Sequence, residues 1–240
     1  MDRVVTCFLL FMIYSILGFF SELIFCTIVD KKLTLNRGFL IGPYCPIYGT
    51  GALCMMLFLT KYENDPIVLF VMSALIATIL EYITSYIMEK IFCARWWDYS
   101  NKKFHINGRV ALDNAVFFGI AGLFVICFLN PKLMHLLSLF NNPIKIVVSI
   151  ILLIIFLVDL SCSTTIIFKL RTSIKEVRKD MTEEISKKVH QTLQKSGYFT
   201  KRLINAFPNA IIKKGAFLKD FLEKQKNKIR KKRNVVPNED

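Results

Sequence analysis

The chain has 240 residues, 54% of them hydrophobic, and a formal net charge of +14. The charge is uneven: the net is +2 up to Phe168 and +12 from Lys169 onward, so an apolar, nearly neutral body precedes a basic tail that suits a membrane surface or nucleic acid. Seven single cysteines without a CxxC pair and three isolated histidines give no support to a metal centre, a redox motif or any cofactor.

The opening MDRVVTCFLLFMIYSILGFF has no clearly basic n-region and no small-x-small cleavage site, so it reads as a retained first span. Five stretches are long enough to cross roughly 30 Å of hydrocarbon, which takes about 20 helical residues. They lie near 4–29, 39–60, 66–88, 110–129 and 146–168. The expected fold is therefore an all-α membrane protein of about five transmembrane helices, with a transmembrane domain over 1–168 and a basic cytoplasmic tail over 169–240. Placing the loops that carry Lys31, Lys32, Arg37, Lys90, Arg95, Lys102, Lys103 and Arg109 on the side of the tail gives 15 inner cations against four outer ones. The positive-inside rule then predicts an outside N-terminus and a cytoplasmic tail in the cell membrane.

The second span is interrupted. The stretch NRGFLIGPYCPIYGTGA holds four glycines and two prolines, so a continuous helix from Phe39 is not expected, and the regular part starts near Ile47. Two readings stand here: a cytoplasmic turn leading into a short span, or a broken, re-entrant segment over 38–49 that lines a site.

In the third span Glu81, Ser85 and Glu89 follow an i, i+4, i+8 spacing, which puts them on one helix face. A carboxylate at mid-bilayer costs roughly 2.5–3.5 kcal/mol, while each Leu, Ile, Phe or Val returns about 0.3–0.6 kcal/mol. Eleven such residues between Ile67 and Ile87 offset one deep glutamate but hardly two, so Glu89 is expected near the boundary and Glu81 deeper. Glu22, Asp113 and Asp159 fall in the same half of their spans. These acids are expected to face one another, a basic partner or water. A packing network and an inward-facing polar cavity both satisfy that expectation. In the following loop, RWWDYSNKKFHINGR, Trp96 and Trp97 read as an interfacial belt, and Arg109 is placed to pair with Glu81 or Glu89. A parallel between Glu22 with Asp30-Lys31 and Glu81 with Glu89-Lys90 hints at a repeat but is too short to establish one.

From Lys169 to Leu193, apolar residues recur every three or four positions among charges, which predicts an amphipathic helix ended by Gly197. The aromatic and basic stretch beyond it suits anionic lipid headgroups, and no motif supports nucleic acid as a partner.

RGFLIGPYCPIYGTGA, EYITSYIMEKIFCARWWDYS and FHINGRVAL, in that order, resemble the CmpB-type family of small membrane proteins, ABC-transporter type IV permeases. The similarity runs over about the first 130 residues. The family's motif positions fall on Arg37, Gly38, Gly42, Pro43, Pro46, Tyr48, Gly49, Glu81, Ser85, Glu89, Trp97, Asp98, Tyr99, Gly108 and Arg109, whereas Asp113 departs from the pattern. The resemblance implies a permease-like role. The sequence has no GxxxxGK[ST] phosphate loop, so ATP coupling would need a separate ATPase subunit.

The expected function is thus a non-enzymatic permease with a substrate or ion site drawn from Glu22, Arg37, Glu81, Ser85, Glu89, Trp97, Asp98, Arg109 and Asp159. The alternative is a non-transporting scaffold whose charged cluster packs helices and whose tail recruits lipid or a partner. Homo-oligomerisation is compatible with either.

Overall fold

The computed structural model of the chain describes residues 2–30, 38–92, 94–179 and 211–212. Arg37 and most of the tail, including the second half of the amphipathic helix expected there, lie outside the described residues. The described residues form six α-helices: α1 (Asp2–Asp30), α2 (Pro46–Leu59), α3 (Pro66–Phe92), α4 (Leu112–Phe124), α5 (Asn130–Ser138) and α6 (Asn142–Lys179). Among the described residues four stretches, Arg3–Ile24, Pro66–Phe92, Leu112–Ser138 and Asn142–Phe168, are long and apolar enough to cross a membrane. The protein is an all-α, multi-pass membrane protein.

The expected second span takes a different form. Helix α2 has 14 residues, about 21 Å at 1.5 Å per residue, and cannot cross roughly 30 Å alone. It runs back along α1: the Cys45 N–H donates to the Ser15 carbonyl at 2.9 Å, and Ala52 packs with Leu9, Leu10 and Tyr14 further toward the N-terminus. A methyl at Gly49 would collide with Ser15 Oγ and the Phe11 carbonyl, so this glycine is what lets the two backbones approach. Residues 38–45, which lead into α2, are irregular; a helix there is broken by Gly38, Gly42, Pro43 and Pro46.

The fourth span is longer than the expected 110–129. It continues from α4 through a π-helical turn (Val125–Leu129) into α5. Pro131 explains the turn, because it lacks an N–H and crowds the carbonyl four residues earlier, so the helical ladder widens to pass it. Helices α3 and α4 pack antiparallel, with Ser73 against Gly122 and, further along α3, Glu81 against Asn114 near the start of α4. Phe92 and Ile167 share a small core, which puts the C-terminal end of α3 beside the end of the apolar stretch of α6.

The connection between α3 and α4 folds back onto that end. It contains β1 (Ala94–Arg95), which pairs with β4 (Ile211–Ile212), and a hairpin of β2 (His105–Ile106) and β3 (Val110–Ala111). The hairpin turns on Asn107 and Gly108, with φ of 53° and 67°. Two successive left-handed residues make the tight turn whose twist matches paired strands, and Asn-Gly is the sequence that tolerates it best.

Candidate functional site

The α3 face is apolar toward its surroundings and polar toward the bundle: Glu81, Ser85 and Glu89 are each buried, while Ile79, Ile83 and Ile87 are exposed. The predicted residues then divide into three groups.

The first group is ionic. Arg109 Nη2 lies 2.8 Å from Glu89 Oε2, and Arg95 Nε donates to the same oxygen at 3.2 Å. Arg109 also donates to Ser85 Oγ at 3.2 Å, and its guanidinium sits over the rings of Tyr82 and Tyr86. The backbone that carries Arg109 is fixed as well. Trp97 Nε1 donates to the Arg109 carbonyl at 2.9 Å, and the Tyr99 N–H donates to the Gly108 carbonyl at 2.8 Å. Asp98 closes a short turn by accepting from the Ser100 N–H at 3.0 Å and the Ser100 hydroxyl at 2.6 Å. Burial alone would raise the Asp98 carboxyl; the Ser100 bonds and Arg95 outweigh it and hold the group below the usual carboxylate range. Gly108 packs directly on this turn, where a methyl would meet Asp98 Oδ1 and Ser100 Oγ.

The second group surrounds Asp159. The Ile41 and Gly42 N–H groups donate to its two oxygens at 2.8 and 2.7 Å, and the Tyr44 hydroxyl donates at 2.5 Å. Ser163 adds a fourth bond at 2.9 Å. Irregular backbone inside a bilayer must find partners within the protein, and the Asp159 carboxylate supplies them to residues 38–45.

The third group is built on Glu81. The Tyr99 hydroxyl donates to Glu81 Oε1 at 3.1 Å, the Asn114 amide is a second hydrogen-bonding partner, and the Lys102 ammonium acts on the carboxylate from further out. Among the described residues no cation forms an ion pair with Glu81, although it is only 7% exposed. Lys102 is instead engaged by Asp113 at 2.6 Å. Burial and the Glu81 carboxylate push the Tyr99 hydroxyl well above the ordinary tyrosine range, so Tyr99 remains a proton donor. Glu22 lies close enough for its charge to act on both Tyr48 and Tyr99.

The family model ABC_trans_CmpB, described as "Putative ABC-transporter type IV", matches residues 9–164. The chain belongs to this family. The match takes in all three groups, from Glu22 to Ser163, so they lie within the family region of an ABC-transporter-type membrane protein. No curated protein and no solved structure matches the chain.

The sequence singles out Glu22, Arg37, Glu81, Ser85, Glu89, Trp97, Asp98, Arg109 and Asp159; the structure brings Glu81, Ser85, Glu89, Trp97, Asp98 and Arg109 into one connected cluster with Tyr99, and Arg37 lies outside the described residues. Asp159 stands apart, since among the described residues its hydrogen bonds go to residues 41–44 and to its own helix. The roles of Tyr44, Arg95, Tyr99 and Asn114 were not anticipated. For Tyr99, its place in the family motif was the one available signal.

Proposed function

We propose that this protein is the permease-like membrane subunit of a transport system in the cytoplasmic membrane. The end of the bundle carrying Arg95, Lys102 and Arg109 faces the cytoplasm, and a separate ATP-hydrolysing subunit supplies any ATP coupling. The Glu81 group, with Glu22, Tyr48, Tyr99 and Asn114, is the place that handles a cation or a polar solute. Glu89, Arg95, Arg109, Ser85, Trp97 and Asp98 hold the loop that delivers Tyr99 to it, and Asp159 holds the broken segment before α2.

One observation carries this reading. Glu81 is a buried carboxylate in a spanning helix whose partners are neutral donors, Tyr99 and Asn114, and which forms no ion pair among the described residues. An ionised group so placed keeps most of its desolvation cost, and a bound cation or proton would relieve it. The experiment is reconstitution into liposomes with an imposed gradient of protons, Na⁺ or K⁺. Wild type is expected to pass at least one of these ions, and Glu81→Gln to fall to the level of empty liposomes. Equal flux in both would overturn the assignment. The closed Glu89–Arg109–Arg95 network favours the scaffold reading as the second one. Under it neither protein passes ions, and Glu81→Gln only lowers thermal stability.

A further inference from the structure

The connection between α3 and α4 carries an apolar surface that neither the ionic network nor the Glu81 group uses. Phe104 is 64% exposed, Ile106 59% and Leu112 56%. They adjoin one another: the Leu112 N–H donates to the Phe104 carbonyl at 3.0 Å, and Ile106 pairs with Val110 in the hairpin. From Leu112 the exposed surface continues without a break along α4 through Val116, Phe117, Ile120 and Phe124. That face of α4 belongs to a spanning helix, so lipid covers it. The hairpin extends the same apolar face past the helix end.

The depth of the hairpin follows from its backbone. Strand β2 forms the outer edge of a two-stranded ribbon, and the polar groups on its free side need water or headgroup partners. The backbone therefore belongs at headgroup level, with Phe104 and Ile106 reaching inward. Cations stand at the matching height. Lys103 is exposed, with Nζ 6.0 Å from the Phe104 ring. Lys90 is exposed as well, over the Tyr86 ring whose other neighbour is Arg109. Long basic side chains beside buried apolar anchors are the pattern of a segment lying on an anionic leaflet.

We infer that residues 102–112 form an interfacial lipid anchor, which seats Phe104 and Ile106 beneath the phosphates of anionic phospholipid and directs Lys90 and Lys103 at those phosphates. The first limb of the same connection delivers Tyr99 to Glu81, and the second carries Arg109 to Glu89. Lipid bound here accordingly steadies the loop over both groups. The inference does not depend on what, if anything, is transported.

The test places an indole at the anchor. Phe104→Trp is reconstituted in nanodiscs of phosphatidylcholine and phosphatidylglycerol, with and without brominated acyl chains, and its added emission is taken relative to wild type. Phe117→Trp on the lipid face of α4 is the reference. The expected result is bromolipid quenching comparable to the reference and little quenching by aqueous iodide. Strong iodide quenching without bromolipid quenching would mean a loop in water. Shielding from both quenchers would mean a protein-covered surface, such as a second copy. Either result overturns the anchor.

The anionic preference is read separately, from the phosphatidylglycerol fraction that gives half-maximal thermal protection. Lys103→Ser is expected to raise that fraction roughly five-fold, as removal of one interfacial lysine implies. Protection that is identical in pure phosphatidylcholine, or that free inorganic phosphate reproduces, would overturn the headgroup part.

Discussion

Glu89 and Asp159 are both carboxylates from spanning helices, equally well buried, yet the protein satisfies them by opposite means. Glu89 meets two guanidinium groups, so charge is balanced side chain against side chain. Asp159 meets no cation among the described residues; it accepts two backbone N–H bonds and two hydroxyl bonds and supplies the partners that a helix break left wanting. The contrast teaches that an acid inside a membrane protein can be structural in two distinct ways, and that both are recognised by saturation of its oxygens. Glu81 fits neither description: its partners are neutral, the Tyr99 hydroxyl and the Asn114 amide, and no cation pairs with it among the described residues.

The largest effect is expected where removing one partner strands a buried charge. Glu89→Gln leaves Arg109 without an anion and is expected to destabilise by about 3–5 kcal/mol, measured by unfolding in detergent. Replacing Glu89 and Arg109 together by Leu and Met is expected to recover much of that loss, since the stranded charge disappears with its partner. A double variant as unstable as the single one would break the comparison at its first term.

Asp159→Asn comes next. The Ile41 and Gly42 N–H groups donate to different oxygens of Asp159, so whichever oxygen becomes the NH₂ is left facing an N–H. The expected loss is about 1.5–3 kcal/mol, as for charge-assisted hydrogen bonds. Hydrogen exchange localises the effect: amides of residues 38–45 should open while the loop 95–111 stays protected. Exchange rising equally in both would merge the two regions into one.

Much of the architecture was legible in the sequence, because length and hydropathy alone pick out spanning helices. The shared face of Glu81, Ser85 and Glu89 followed from helical periodicity, and the glycine- and proline-rich stretch before Ile47 announced a helix break. The partner of that break was illegible. Asp159 lies 117 residues from Gly42, and no local spacing connects them. The extension of the fourth span to Ser138 was also hidden, because Pro131 looks like a terminator and is accommodated by a π turn instead. The contacts of Arg95 and Tyr99 depend on how the hairpin folds back, which the Asn-Gly dipeptide suggests locally but does not aim.

A smaller stability effect, with a larger functional one, is expected for Glu81→Gln. The amide oxygen still accepts from Tyr99, so the change is expected to stay below about 1 kcal/mol. Ion flux is the discriminating measurement. A stability loss as large as that of Glu89→Gln would place Glu81 with the structural acids.

The smallest effect concerns Asp98, outside the spanning helices. Its carboxyl is held below the usual range in the folded chain by the Ser100 bonds and Arg95, against the opposing effect of burial. A depressed folded-state value means that the ionised form contributes stability above the unfolded value, about pH 3.9, and that this contribution fades as pH falls through the lower folded value. Wild type should therefore lose loop protection in acid, between about pH 4 and the folded titration point. Asp98→Asn removes that titration and should flatten the acid limb of the loop amides at 99–101 while leaving residues 38–45 unchanged. An acid limb that persists in Asp98→Asn would remove Asp98 as its source and would break the link between this turn and the stability of the loop.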